Sequence, residues 1–142
     1  MTPSMSSSLR IANDLAELRR MSTWLRDAAQ AAALGAKDAY TLELCANEAV
    51  TNSSSYGHAT DGHRAIVLEF TADAERFALR IEDEADPFDP MAARLPDAPA
   101  SLEAAPIGGL GLVLIHRLLP HSQYRRDGDR NILVLQGSRS SD

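Results

Sequence analysis

Two pairs of strand-length segments, each joined by a link too short to hold a crossover helix, set the tightest limit on what this chain can fold into. Residues 65–71 and 76–81 alternate or cluster apolar side chains around the short connection 72–75. Residues 123–126 and 131–136 flank Asp127-Gly128-Asp129, a strong hairpin signal. Parallel neighbours need a crossover of roughly a dozen residues or more, so both pairs must be antiparallel. The remaining elements have to be arranged around two hairpins.

Helical periodicity supplies those elements. Asn13 and Asp14 offer N-cap oxygens ahead of Leu15, Leu18, Met21, Trp24, Leu25 and Ala28, which recur every three or four residues. This predicts an amphipathic first helix ending near Gly35. A second helix is expected from Lys37 or Asp38 to a stop at Gly57, with Tyr40, Leu44, Cys45, Ala49 and Asn52 near one face. A third apolar run, 112–119, follows Gly108-Gly109-Leu110-Gly111 and closes at Pro120. Residues 9–12 read as a short edge strand. Residues 1–8, with three consecutive serines, and 138–142 are expected to be flexible ends of one domain at 9–137. The stretch 84–106 carries five of the seven prolines and no sustained periodicity, which marks a functional or mobile loop. The order helix, helix, hairpin, loop, helix, hairpin predicts an α+β fold. It is a two-layer sandwich whose mostly antiparallel or mixed sheet is covered on one face by about three helices.

Composition narrows the function classes. With 142 residues, 44% hydrophobic and 24% charged, the chain can bury one core and lacks the signature of disorder. No apolar run approaches the ~20 residues that cross a bilayer, and the N-terminus has neither the basic start nor the apolar stretch of a secretory signal. A cytoplasmic protein with no membrane partner is expected. The net charge of −6 repels polyanions, which argues against direct nucleic-acid binding. An anionic nucleotide would need local help from a metal or a helix N-terminus. Cys45, the single cysteine, cannot form an internal disulfide and reads as a small buried hydrophobe. The histidines at 58, 63, 116 and 121 have no metal-ligand spacing.

Three constellations can carry chemistry. Glu48 and Asn52 stand one helical turn apart on one face. A carboxylate can orient or deprotonate a hydroxyl, and an amide oxygen is a hard ligand suited to Mg²⁺. An exposed helix turn has the same spacing, but the pair points the same way as Leu44 and Cys45, on a stripe that reads as buried. In the second constellation a strand ends in Glu82-Asp83-Glu84-Ala85-Asp86-Pro87-Phe88-Asp89-Pro90. A carboxylate fixed there can accept a hydrogen bond from an exocyclic amine, or the acids can form a solvated turn. The prolines and the lack of a Gly break calcium-loop spacing for Asp83, Asp86 and Asp89. The third is Gly108-Gly109-Leu110-Gly111-Leu112, which opens a helix either as a hinge or as a phosphate cradle of backbone N–H groups. It matches neither the dinucleotide fingerprint nor the P-loop. Arg125, Arg126 and Arg130 on the last hairpin read as solvated cations or as contacts for an acidic partner.

Taken in order and at these separations, the motifs resemble the histidine-kinase-like ATPase superfamily, most closely its small anti-sigma factor serine/threonine kinases. The resemblance runs from about Leu9 to Leu135. It includes Asn13-Asp14-Leu15-Ala16-Glu17-Leu18, the Glu48 to Asn52 turn, Pro87-Phe88-Asp89-Pro90 and the glycine run. It implies an ATP site in which Asn52 holds Mg²⁺ against the phosphates and Glu48 is the general base or orients the attacking hydroxyl. Asp83 receives the adenine amine, with Ala85 and Phe88 beside it, and Gly108, Gly109, Leu110, Gly111 and Leu112 form the phosphate end beneath a lid. It also implies a sigma factor and a STAS-type antagonist as partners, the antagonist phosphorylated on serine, and a homodimer. Two positions depart from the family pattern. Ala85 stands where the acidic motif usually has Gly, and Tyr56 stands where a His often follows the Asn. The first favours an alternative, a regulator-sequestering module that uses nucleotide only as a conformational ligand. The ATP-binding domain of a two-component histidine kinase fits less well, because no dimerisation and phosphoacceptor helix pair is visible.

Overall fold

A computed structural model describes residues 5–12, 14–56, 65–84 and 109–140. The elements run β1 (Met5–Ala12), α1 (Leu18–Ala31), α2 (Ala36–Tyr56), β2 (Ala65–Ala72), β3 (Arg76–Asp83), α3 (Gly109–Leu118), β4 (Gln123–Asp127) and β5 (Arg130–Ser138). A 3₁₀ turn, Leu15–Glu17, leads into α1. The five strands lie in the order β1-β2-β3-β5-β4, and every neighbouring pair is antiparallel. Among the described residues no helix is long and apolar enough to cross a membrane.

Both expected hairpins form, and each is shaped by its turn. Asp73 Oδ1 accepts 2.8 Å hydrogen bonds from the backbone N–H groups of Glu75 and Arg76, closing the β2–β3 turn. Between β4 and β5 the two-residue turn places Gly128 at φ 61°, a conformation that favours glycine. Period-two alternation then puts one side of the sheet into the core. Ile66, Leu68, Phe70 and Ala72 on β2, Phe77, Leu79 and Ile81 on β3, and Leu133 and Leu135 on β5 are buried. They pack with Met21, Leu25 and Ala29 of α1, Leu42, Cys45, Ala46, Ala49 and Val50 of α2, and Ile115 of α3. The result is the two-layer α+β sandwich, with the three helices of the described residues on one face.

Several boundaries differ from expectation. β1 begins at Met5 rather than residue 9, because backbone pairing from Met5↔Ala72 to Ala12↔Ala65 holds the polar serines in the sheet. Ser7 is tied further by Trp24 Nε1, which donates to its Oγ at 2.9 Å. Gly35 does not end the first helix. Ala33 takes the left-handed φ of 56° instead, and the N–H groups of Ala33 and Leu34 donate to Gln30 and Ala29 carbonyls. Burial of Leu34 beside Ala29 compensates for a residue type that disfavours this conformation. Tyr40 leaves the predicted inner face of α2 and is 68% exposed, since the buried stripe is centred on Leu42, Cys45 and Ala49.

Arg139 and Ser140 hydrogen-bond back onto the domain. Arg139 donates through Nη2 to Ala32 O (2.8 Å), through Nη1 to Ala33 O (3.1 Å) and through Nε to Asp73 O (2.7 Å). Ser140 donates its N–H and its hydroxyl to the two oxygens of the buried Asp38, both at 2.7 Å.

Candidate functional site

Asp83 continues the inward series Phe77, Leu79, Ile81, so strand alternation alone carries a carboxylate onto the helix-covered face. It is 7% exposed. A carboxylate at that depth is costly unless it is hydrogen-bonded, and Asn131, its register partner on β5, supplies a donor. Asn131 Nδ2 donates to Asp83 Oδ1 at 3.0 Å. Asn131 is equally buried, and its Oδ1 accepts from the Tyr124 hydroxyl and from Arg126 Nη1, the latter at 3.2 Å. Three strands thus converge on one carboxylate.

Helix α2 packs over β3 and β5 and against α1 and α3. Its buried stripe is flanked by Leu44 and Glu48, both half-buried, so Glu48 lies on the shoulder of the helix and not in the core proper. The Glu48 charge reaches Cys45 one turn away. Burial, and secondarily that charge, push the Cys45 thiol up to about 11. Asn52 lies one turn beyond Glu48 within the same helix. Asn47 faces the other neighbour, with Nδ2 donating to Ser22 Oγ at 3.1 Å, which ties α2 to α1.

Helix α3 begins at Gly109, so Gly109, Leu110 and Gly111 form its first turn instead of a loop ahead of it. First-turn N–H groups have no partner within a helix and face outward from its N-terminus, which is where anions bind. The elements bearing Glu48, Asn52, Asp83 and the glycines are therefore brought together by the packing of α2 on β3 and α3. Ala85, Phe88 and Gly108 lie outside the described residues, as do the side chains of Asn52 and of residues 109–112.

The donor set suits a magnesium nucleotide. A buried carboxylate accepts from an amine, an Asn amide oxygen is a hard ligand, and a helix start offers N–H groups to phosphate. Among the described residues no three His, Cys, Asp or Glu side chains gather as a metal-binding group. Magnesium held largely by phosphate and water needs only one or two protein oxygens. Sequence reasoning missed Tyr124, Arg126 and Asn131 as a group. Asn131 could have been found from its phase, two residues before Leu133 and four before Leu135, which makes it an inward polar residue.

Comparison with known proteins identifies the family and the fold. The family described as the histidine kinase-like ATPase domain matches residues 11–136. The serine/threonine-protein kinase BtrW of Bordetella bronchiseptica is 36% identical over 113 residues, covering 79% of each chain. Among solved structures, that of the RsbU and RsbW domains of Rv1364c from Mycobacterium tuberculosis superposes with a TM-score of 0.65 at 16% identity. That match covers 95% of this chain and 34% of the longer one, and it bears on the fold alone.

Proposed function

The chain belongs to the histidine kinase-like ATPase family, and on that premise we propose that it is an ATP-dependent protein serine kinase and anti-sigma factor. It binds ATP·Mg²⁺ in the cytoplasm, phosphorylates a serine on a small STAS-type antagonist, and so controls the availability of a sigma factor. The observation that carries this reading is the buried Asp83 carboxylate at the end of β3, a strand that packs against the helix bearing Glu48 and Asn52.

When bound, ATP·Mg²⁺ supplies the transferable phosphoryl group. Asp83 accepts a hydrogen bond from the adenine amine, with Ala85 and Phe88 beside the base. Asn52 gives its amide oxygen to Mg²⁺. Gly108, together with the N–H groups of Gly109, Leu110, Gly111 and Leu112, holds the phosphate end, where the α3 dipole favours negative charge. Glu48 takes up the proton of the attacking serine hydroxyl. Phosphoryl transfer passes through a loose transition state, so positioning and charge neutralisation dominate, and the base adds on the order of 10²- to 10⁴-fold. β1, terminal in the sheet order, offers its outer edge to a second copy in a homodimer.

Incubation with labelled ATP, Mg²⁺ and the cognate STAS-type antagonist tests the kinase. Serine labelling by the wild type, slowed on the order of 10²-fold or more in Glu48→Ala, is expected. Absent labelling, or labelling undiminished in Glu48→Ala, contradicts it. Ala85, at the usual Gly position, supports a second reading in which the protein sequesters its regulator and nucleotide acts only as a conformational ligand. Saturable ATP binding by calorimetry without turnover would favour that reading.

A further inference from the structure

We infer that Asn131 is a positioning residue that sets the protein's preference for a 6-amino purine, with Tyr124 and Arg126 locking its orientation. The inference rests on the ATP reading and names what holds the base-reading carboxylate in place. An Asn amide can present either its oxygen or its NH₂ to a neighbour, and the choice normally depends on the network around it. Here the choice is fixed. Arg126 has only donors, so the atom of Asn131 that meets Arg126 Nη1 at 3.2 Å must be the oxygen, and the same oxygen accepts the Tyr124 hydroxyl. The NH₂ is thereby turned onto Asp83 Oδ1 at 3.0 Å.

This has a consequence for recognition. A donor held against one carboxylate oxygen fixes the plane of the Asp83 carboxylate. A purine amine meets a matched acceptor in that frame, and a purine 6-oxo group meets a repelling one. The polarisation runs from the Arg126 guanidinium through the amide to the Asp83 carboxylate, inside a part of the protein where both Asp83 (7% exposed) and Asn131 (6%) are shielded from water. Strand register brings these residues together. Asp83↔Asn131 pairs β3 with β5, and Arg126↔Asn131 pairs β4 with β5.

The test compares ATP·Mg²⁺ with inosine triphosphate·Mg²⁺, which carries the 6-oxo group, by calorimetry on the full chain. The wild type should prefer ATP. Asn131→Ala should weaken ATP about tenfold and change inosine triphosphate little, so the ratio of the two affinities collapses. Tyr124→Phe, which removes only the hydroxyl, should shift the ratio in the same direction by a smaller factor while circular dichroism and the melting transition show a folded protein. A merely structural role would weaken both nucleotides together and leave the ratio unchanged, and that result in both variants overturns the assignment. A wild type that binds ATP without discriminating also overturns it, with the ATP reading intact. A wild type that binds neither nucleotide overturns the ATP reading and the Asn131 role together.

Discussion

The two ends of β3 solve the same problem, a carboxylate that must be satisfied, by opposite means. At the Arg76 end, Asp73 is exposed and takes its hydrogen bonds from backbone N–H groups two and three residues away. At the other end, Asp83 is buried and takes its donor from a side chain 48 residues away. The first arrangement shapes a turn, whereas the second depends on the whole sheet. A buried acid held by distant residues is the more expensive construction. A cleft of about 760 Å³ lies at the Arg76 end, lined by Asp73, Arg76, Phe77, His121, Gln136 and neighbouring residues, without a buried carboxylate.

The contrast can be broken most severely by exchanging the two acids. Asp83→Ala removes the acceptor proposed to read adenine and breaks its hydrogen bond with the Asn131 amide. ATP affinity should fall on the order of a hundredfold, about 2–3 kcal/mol, in a calorimetric titration. Asp73→Asn should leave that titration unchanged. Equal effects would erase the functional difference between the ends.

The Arg76 end should matter for stability. Arg139→Ala loses hydrogen bonds to the carbonyls of Ala32, Ala33 and Asp73, and denaturant unfolding should show a loss of about 1–2 kcal/mol with nucleotide binding intact. A smaller change of opposite sign is expected nearby. Ala33 holds a left-handed φ of 56°, so Ala33→Gly should stabilise by about 0.5–1 kcal/mol, measured as a higher denaturation midpoint. The smallest effect concerns pH. Backbone N–H groups of Glu75 and Arg76 hold the Asp73 carboxyl below its usual range. The folded value lies below the unfolded one, so the stabilisation is present above about pH 4 and is lost as pH falls through the folded value. Asp73→Asn should flatten that acid limb in a series of melting curves, and an unaltered limb would show that the turn contributes nothing to it.

The same division between near and far explains what the sequence disclosed. Hairpins, the amphipathic α1 and the glycine start of α3 are encoded by residues next to one another, so periodicity and turn chemistry located them. Asp83 was legible as a strand-end acid. The extension of β1 through Ser6, Ser7 and Ser8 was not, because its cause is pairing with β2. Ala33 was missed because Gly35 is the better local stop, and only tertiary burial of Leu34 with the Arg139 bonds makes Ala33 the reversal point. The inner face of α2 was read slightly too far round, placing Tyr40 inside. The inward phase of Asn131 was legible, but its meeting with Asp83 was not, because that depends on the register of β3 against β5.

The most direct test is an ATP·Mg²⁺ titration of the wild type beside Asn52→Ala. Saturable binding by the wild type, weakened at least about tenfold in the variant through loss of the magnesium-holding oxygen, is the predicted result. Absence of binding in the wild type, or identical isotherms for the two proteins, would contradict the account.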